Sequence, residues 1–110
     1  MLEIFYRYRV HPLQVRAFEH AYGSDGRWAK LFARHPGFQR TRLFRHKQDP
    51  GIYVTVDVWK TKADYEAFKR KYGDEYRRMD QQLALLKLEE SFLGFYEGQQ
   101  EYRAAADTRA

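Results

Sequence analysis

The segment 52–59 constrains the fold of this chain more than any other stretch of the sequence, because bulky side chains alternate along it on both faces. One face holds four β-branched aliphatic residues: Ile52, Val54, Val56 and Val58. The other face holds Tyr53, Thr55, Asp57 and Trp59. A period of two predicts a β-strand, and bulk on both faces predicts a central strand that is buried on both sides.

Three further strands and two helical segments are predicted around this central strand. The strands are 2–10, 38–47 and 88–97, and the helical stripes cover 13–32, in two pieces, and 61–86. Ser24 or Asp25 is expected to cap the second piece of the first stripe. Thr61 with Asp64 resembles a capping box at the start of the second stripe, in which Gly73 predicts a kink or a short break. The order is therefore strand, helix, strand, strand, helix, strand. It predicts an α+β fold of ferredoxin-like βαββαβ topology, in which a four-stranded antiparallel sheet carries its helices on one face.

A length of 110 residues fits one domain. We predict that this domain covers residues 1–98 and that residues 99–110 form a polar, flexible C-terminal tail. Two helices cover only one face of the sheet, yet strands one, three and four carry large apolar groups on both faces. The apolar groups on the second face therefore predict a homodimer, since the same face of another copy would cover them.

The residue types that are missing limit the chemistry. The sequence has no cysteine, which leaves no disulfide, thiol nucleophile or zinc–thiolate site. It also has no Gly-rich phosphate loop, nucleophile elbow or HExxH pattern. The four histidines lie in different predicted elements without ligand spacing, so we expect neither a metal site nor a cofactor.

The net charge of +5 is unevenly distributed, with ten Lys and Arg against three Asp and Glu in residues 1–47. The basic residues are scattered, which favours a solvated basic surface over nucleic-acid binding. The first residues lack the pattern of a secretory signal, and no apolar stretch approaches the ~20 residues that span a bilayer. We therefore expect a cytoplasmic protein without membrane contact.

A set of polar side chains is embedded among the aromatic residues. Asp57 shares its strand face with Thr55, and Phe5, Arg7 and Arg9 share a face of the first strand. Strands one and three are neighbours in a βαββαβ sheet, so Arg7 or Arg9 is expected to reach Asp57. This pair is either a structural ion pair or part of a cavity between sheet and helices. In such a cavity a buried carboxylate or phenol moves a proton to or from an aromatic ligand.

Two aromatic residues also allow two interpretations. Trp59 ends the third strand, and Tyr65 lies on the first turns of the second long helix, on its sheet-facing stripe. Both residues either pack in the core or belong to a ligand pocket, with Trp59 as a wall and the Tyr65 hydroxyl pointing inward.

Three stretches of the chain resemble the antibiotic biosynthesis monooxygenase family. They are Arg34-His35-Pro36-Gly37-Phe38, Asp49-Pro50-Gly51 and Val56-Asp57-Val58-Trp59-Lys60-Thr61. The likeness extends over about residues 2–97 and implies the dimeric α/β-barrel form of the ferredoxin-like fold. The family includes small monooxygenases that act on quinols or polyketide phenols and use O₂ without metal or flavin, the deprotonated substrate itself donating an electron to O₂.

The resemblance also implies roles for individual residues. Trp59 matches the tryptophan at the strand end, and Tyr65 stands where some members have a pocket tyrosine. Thr55 stands about where those members have an asparagine, a residue type that this sequence lacks entirely. We therefore name Asp57 and Tyr65 as candidate catalytic residues. The candidate substrate-binding residues are Trp59, Arg7, Thr55 and Phe5.

The sequence thus favours a cofactor-independent monooxygenase that acts on a small aromatic or hydroquinone-like substrate. The alternative is a non-catalytic ligand-binding or stress-related barrel protein. Haem-degrading relatives of the family use an asparagine on the first strand and a histidine on the second helix. The first strand here has no asparagine and the second helix has no histidine, which argues against haem degradation.

Overall fold

The computed structural model describes residues 1–99 and confirms the predicted ferredoxin-like α+β fold. The strands are β1 (Leu2–Val10), β2 (Phe38–Arg45), β3 (Ile52–Trp59) and β4 (Lys87–Glu97), and the helices are α1 (Val15–Tyr22), α2 (Arg27–Phe32) and α3 (Lys62–Leu83). Short 3₁₀ turns precede α1 and follow α3. The four strands form one antiparallel sheet in the order β2-β3-β1-β4, so β3 and β1 are central.

The pairing register of β1 and β3 decides which residues share a face of the sheet. Ile4 lies opposite Asp57, and Phe5 lies opposite Val56. Because directly paired residues point to the same side of a sheet, Asp57 shares its face with the apolar residues of β1. That face is the one covered by the helices, since Ile4 and Trp59 belong to the core between sheet and helices.

The core is unusually aromatic. Its buried ring-bearing residues come from strands and helices alike: Tyr8, Phe18, Tyr22, Trp28, Phe32, Tyr53, Trp59 and Phe68. Neighbouring rings meet mostly in tilted or edge-to-face arrangements, which the quadrupole of an aromatic ring prefers.

The first helical segment breaks between α1 and α2, as its sequence predicts, but one expected detail is wrong. We expected Ser24 or Asp25 to cap the second piece, whereas Gly26 occupies the N-cap position without a side-chain hydrogen bond. A Cβ atom at Gly26 would lie 2.4 Å from the carbonyl oxygen of Ala21. The chain folds back too tightly there for any other residue.

The long helix α3 begins at the predicted cap and contains the predicted break. The Thr61 hydroxyl accepts a hydrogen bond from the Asp64 backbone N–H at 3.1 Å, as an N-cap residue does. The backbone at Tyr72 leaves helical geometry, with φ −112° and ψ 17°. This break divides α3 into a first half that packs on Trp59 through Phe68 and a second half that carries Tyr76.

The opposite face of the sheet has no helix over it in residues 1–99. Phe5 and Val54 are half-buried there, and Phe44 is exposed beneath the guanidinium group of Arg42. Edge strand β4 also exposes large apolar side chains: Leu88, Phe92, Leu93, Phe95 and Tyr96. Large apolar surface of this kind is typical of an interaction site.

Two further expectations concern the ends of the chain and its location. The predicted tail, 99–110, lies outside the described residues except for its first position. Over the described part of the chain, no helix has both the length and the hydropathy needed to cross a bilayer.

The Phe68 side chain tests whether the aromatic core determines stability. Phe68 is fully buried, with its ring 5.2 Å from that of Trp59 and 5.4 Å from that of Phe32. We expect Phe68→Ala to lower the free energy of unfolding by about 3–5 kcal/mol, because it leaves a cavity among rigid rings. Leu85→Ala is the control, since Leu85 is 86 % exposed, and should change the free energy by less than about 0.5 kcal/mol. Urea unfolding followed by tryptophan fluorescence measures both, and equal values for the two variants would contradict this description of the core.

Candidate active site

A small cavity lies between the sheet and the helices, with a volume of about 30 Å³. Strands β1, β3 and β4 and all three helices contribute to its wall, which consists of aromatic and acidic side chains: Tyr6, Tyr8, Tyr22, Trp28, Phe32, Asp57, Tyr76, Asp80 and Glu90. A volume of this size admits about one water molecule. The cavity therefore joins a carboxylate from the sheet to a ring of phenols and an indole from the helices.

Asp57 is the acidic group in the floor of the cavity. It is buried on central strand β3 and accepts a hydrogen bond from the hydroxyl of Thr41, its partner on β2, at 2.8 Å. Burial raises the pKa of Asp57 from 3.8 to about 7, although the Thr41 hydrogen bond acts in the opposite direction. A carboxyl group with a pKa near neutrality can both take up and release a proton at physiological pH.

The tyrosines around Asp57 stay protonated. Burial raises the pKa of Tyr6, Tyr8 and Tyr76 above the ordinary value, and the charge of Asp57 adds to the effect at each of them. These phenols therefore act as hydrogen-bond donors and acceptors at neutral pH, not as bases. Asp57 differs from these phenols because its pKa of about 7 lets its protonation change near neutrality.

Two buried donors in the cavity wall have no hydrogen-bond partner within residues 1–99. They are the hydroxyl of Tyr22 on α1 and the indole N–H of Trp28 on α2. Thr55 and Trp59 also bury a polar atom that finds no partner in the described part of the chain. Unpaired buried polar atoms are rare in folded proteins and require an explanation at each position.

A charged group lies beside the cavity, next to the two acidic wall residues from α3 and β4. The side chain of Lys87 is only 8 % exposed, and its ammonium group lies 3.5 Å from Asp80 and 2.6 Å from Glu90. The same ammonium group lies 5.6 Å from the ring centroid of Tyr8 and 5.5 Å from that of Tyr22. Burial acts to lower the pKa of Lys87, but the contributions of Glu90 and Tyr22 together outweigh it, so the pKa is raised. Lys87 is therefore a permanent cation that links α3, β4 and the aromatic wall.

The structure places the predicted site residues in three different environments. Asp57 lines the cavity, and Thr55 is buried two positions along the same strand face. Trp59 is fully buried, and Tyr65 packs edge-on against it with ring centroids 5.5 Å apart. Neither ring is part of the cavity wall. Burial raises the pKa of the Tyr65 hydroxyl well above its ordinary value. This geometry therefore favours the interpretation that Trp59 and Tyr65 pack in the core.

The expected pairing of Arg7 or Arg9 with Asp57 is wrong. Arg7 lies opposite Val54 on the face away from the helices, where its guanidinium is 3.9 Å from Glu89. Arg9, on the same face, pairs with Asp49 at 3.3 Å. Phe5 also belongs to that face. The register of β1 against β3 separates these side chains from the cavity by the thickness of the sheet.

Several cavity residues were not identified from the sequence as site residues. Tyr6, Tyr8 and Tyr76 could be placed on apolar stripes, but nothing in those stripes separates a core tyrosine from one that lines a cavity. One pattern in the sequence could have identified them: all three tyrosines have a polar hydroxyl group and lie on the inward-facing side of their element, which is also the side of the lone carboxylate, Asp57. Within residues 1–99, no three His, Asp or Glu side chains converge in a way that would hold a metal ion.

The chain is similar in sequence to known proteins. The family model for antibiotic biosynthesis monooxygenases matches residues 1–82. Deoxynogalonate monooxygenase of Streptomyces nogalater is 43 % identical over 44 residues, a match that covers 40 % of this chain and 35 % of that protein. The chain therefore aligns with only about a third of the length of this curated relative.

Solved structures resemble the chain over nearly its whole length. A variant of SnoaB, described as a cofactor-independent oxygenase from Streptomyces nogalater, superposes with a TM-score of 0.71 at 26 % identity, over 91 % of this chain and 94 % of that one. A Nitrosomonas europaea protein named for the same family superposes with a TM-score of 0.68 at 22 % identity, over 91 % of this chain and all of that one.

The raised pKa of Asp57 predicts a specific pH dependence of stability. The folded state keeps this proton up to about pH 7, whereas the unfolded chain releases it near pH 4. Between these values the folded state binds more protons, so the contribution of Asp57 to stability falls as the pH rises. We expect the free energy of unfolding of the wild type, minus that of Asp57→Asn, to fall by up to about 4 kcal/mol from pH 4 to pH 8.

Chemical unfolding at several pH values measures this difference. Asp25→Asn is the matched control, because Asp25 is exposed in the turn between α1 and α2. Its difference from the wild type should stay within about 0.5 kcal/mol over the same range. A difference for Asp57→Asn that does not change with pH would show that the carboxyl group is solvated rather than buried.

Proposed function

The chain belongs to the antibiotic biosynthesis monooxygenase family, and we propose that it is a cofactor-independent monooxygenase whose substrate is a small aromatic of the hydroquinone type. The observation that carries this proposal is the buried carboxyl group of Asp57, with a pKa of about 7, in a cavity walled by aromatic side chains. Aromatic walls suit a planar aromatic ligand, and the carboxyl group supplies the proton acceptor that such a substrate needs.

In the proposed reaction Asp57 takes the proton of a substrate hydroxyl group. Because the pKa of Asp57 lies below that of a phenol, its carboxylate is a weaker base than a phenolate. The site offsets this disadvantage by holding the substrate hydroxyl group next to the carboxylate, a proximity that solution lacks. The resulting phenolate is electron-rich enough to donate an electron to O₂. The surrounding rings exclude water, which protects the reactive intermediates from side reactions.

The overall change balances without any external reductant. One atom of O₂ enters the aromatic ring as a new hydroxyl group, and the other leaves as water. The substrate supplies all the electrons as the hydroquinone becomes a hydroxyquinone. The chain contributes proton transfer, orientation and exclusion of water, and in this scheme Asp57 returns its proton to the departing oxygen.

Substrate entry requires a movement of the second half of α3. The cavity has a volume of about 30 Å³, whereas an apolar cavity that holds a benzene ring has about 150 Å³. Tyr76 and Asp80 line the cavity from beyond the non-helical backbone at Tyr72. We propose that this half of α3 moves outward at the break while the first half stays packed on Trp59.

The roles that the family resemblance assigns to Trp59, Tyr65 and Thr55 remain predictions. Trp59 and Tyr65 touch each other and the core rather than the cavity, so we propose that they position the floor of the site and do not contact the substrate. Thr55 has a buried hydroxyl without a partner in residues 1–99 and lies next to Asp57 on the strand face, so it stays a candidate for substrate binding.

The small cavity also favours the second candidate function, a non-catalytic ligand-binding barrel protein. In that case the aromatic side chains fill the core by themselves, and a ligand that enters undergoes no reaction. The two candidates differ in one measurable respect, because only the monooxygenase consumes O₂ in the presence of a hydroquinone.

We also propose that the protein acts as a homodimer through the sheet face that lacks helices. Phe5, Val54 and Phe44 contribute incompletely buried apolar surface to that face, and Arg7, which lies opposite Val54, adds charge to it. The same face of a second copy supplies a matching surface, as twofold interfaces do. This arrangement would bury Phe5 and Arg7 at the interface, away from the cavity.

The pH dependence of O₂ uptake tests the role of Asp57. With 1,4-dihydroxynaphthalene as substrate, we expect kcat/KM to rise with pH through a midpoint near 7, because the carboxylate form is the base. Asp57→Asn should lose about 100-fold or more of the activity, and its kcat/KM should no longer rise with pH.

The rate without protein is subtracted at each pH, since hydroquinones oxidise spontaneously. Asp25→Asn should keep the wild-type profile, and an Asp57→Asn profile equal to that of the wild type would exclude Asp57 as the base.

Oligomeric state tests the proposed interface. We expect sedimentation equilibrium to give a dimer for the wild type and at least about 10-fold weaker association for Val54→Glu, because like charges would meet across a twofold interface. Gln81→Glu adds the same charge on an exposed position of α3 and should leave the association unchanged. A wild-type monomer at micromolar concentration would contradict the proposal.

A further inference from the structure

The cavity wall formed by α1 and α2 presents donors that lack an acceptor. Tyr22 is 3 % exposed and Trp28 is 6 % exposed, and the hydroxyl of one and the indole N–H of the other have no partner within residues 1–99. Their rings lie 6.1 Å apart, and both line the cavity. An indole N–H can only donate a hydrogen bond, so this part of the wall needs an oxygen or nitrogen acceptor.

A cation next to this pair strengthens the preference for an acceptor. The ammonium group of Lys87 lies 5.5 Å from the ring centroid of Tyr22, with Asp80 and Glu90 on its other sides. Burial raises the pKa of Tyr22, whereas the ammonium group of Lys87 acts to lower it. A cation beside two unpaired donors favours an electron-rich oxygen as their acceptor.

We propose that Tyr22 and Trp28 form an oxygen-binding subsite that holds a carbonyl or phenolic oxygen of the aromatic ligand. The subsite belongs to α1 and α2, whereas Asp57 belongs to the sheet. One oxygen of the ligand is held by the donor pair while another faces the carboxyl group. Tyr22 and Trp28 are thus positioning residues that fix the orientation of the ring. In the free protein, a single water molecule is small enough to occupy the same place.

The subsite also narrows the class of ligand, and this step rests on the proposed function. Asp80 and Glu90 are paired with the ammonium group of Lys87, and that of Lys69 lies 3.5 Å from the ring centroid of Tyr76. Asp57 has no such cation beside it, so the carboxylate or sulfonate group of an anionic aromatic would meet Asp57 as a like charge. The ligand is therefore a neutral aromatic with oxygen atoms on opposite edges of its ring, as in a 1,4-hydroquinone, and not a 1,2-diol or an aromatic acid.

Binding of two unreactive probes under anaerobic conditions tests the subsite separately from turnover. 1-Tetralone offers an aryl ketone oxygen and no proton, and tetralin has the same carbon skeleton without the oxygen. Equilibrium dialysis gives the ratio of the two affinities, in which the hydrophobic contribution of the skeleton cancels. We expect Tyr22→Phe and Trp28→Phe each to lower this ratio by about 3- to 10-fold, the effect of one lost hydrogen bond.

The matched control is Tyr53→Phe, which removes a hydroxyl from a buried tyrosine that does not line the cavity and donates its hydrogen bond to Glu19. It should leave the ratio within twofold of the wild type. Tyr22→Phe keeps the shape of the ring, so its result stands even where Trp28→Phe reduces stability in circular dichroism. Ratios equal to that of the wild type for Tyr22→Phe would overturn the subsite.

Turnover of 1,4- and 1,2-dihydroxynaphthalene then tests the ligand class. The wild type should prefer the 1,4 isomer by at least about 10-fold in kcat/KM, and Tyr22→Phe should reduce that preference mainly through KM. A Tyr22-dependent tetralone affinity without any O₂ uptake would retain the subsite and exclude the monooxygenase. Uptake without a preference between the isomers would retain the monooxygenase and exclude the proposed orientation.

Discussion

The antiparallel register between β1 and β3 is the constraint on which the rest of the structure depends. It sets Ile4 opposite Asp57 and Arg7 opposite Val54, and so assigns one carboxyl group to the helix-covered face and the arginines to the other. A shift of one residue would exchange these faces along a whole strand. With the observed register, Asp57 is buried among rings without a cation, and its raised pKa follows directly from that placement.

Burial of a carboxyl group without a cationic partner lowers stability above neutral pH, and a fold retains such a group at a cost. Asp57 has one hydrogen bond, from Thr41. The aromatic wall and the unpaired donors of Tyr22 and Trp28 surround one cavity, and the break in α3 at Tyr72 precedes Tyr76 of its wall by about one helical turn. A buried carboxyl group without a cation, unsatisfied hydrogen-bond donors and a nearby break in a helix are typical of a functional site rather than of a core built only for stability.

The elements of the fold were predictable because they depend on local pattern. The strands of residues 2–10 and 52–59, the cap at Thr61 and the break near Gly73 each follow from a few neighbouring residues, and the structure has them where the sequence indicates. The predicted pairing of Arg7 with Asp57 failed because it required the relative register of two strands that are more than forty residues apart in the chain. The sequence shows that β1 and β3 are neighbours in this topology. The alternation of side chains along each strand does not show, however, which set of β1 side chains lies on the same side of the sheet as Asp57.

Sequence alone determined the order of the elements and the family resemblance. It also made Asp57 a candidate site residue, since a lone carboxylate on a bulky central strand is recognisable without any coordinates. Only the tertiary structure decided which aromatic residues surround it. Tyr22, Trp28 and Tyr76 come from three helices, and each looks like an ordinary core residue within its own stripe. The side-chain period of a helix shows which residues turn toward the sheet, but the meeting of polar tips around one cavity depends on helix packing angles and strand register, which arise from contacts distant in the chain.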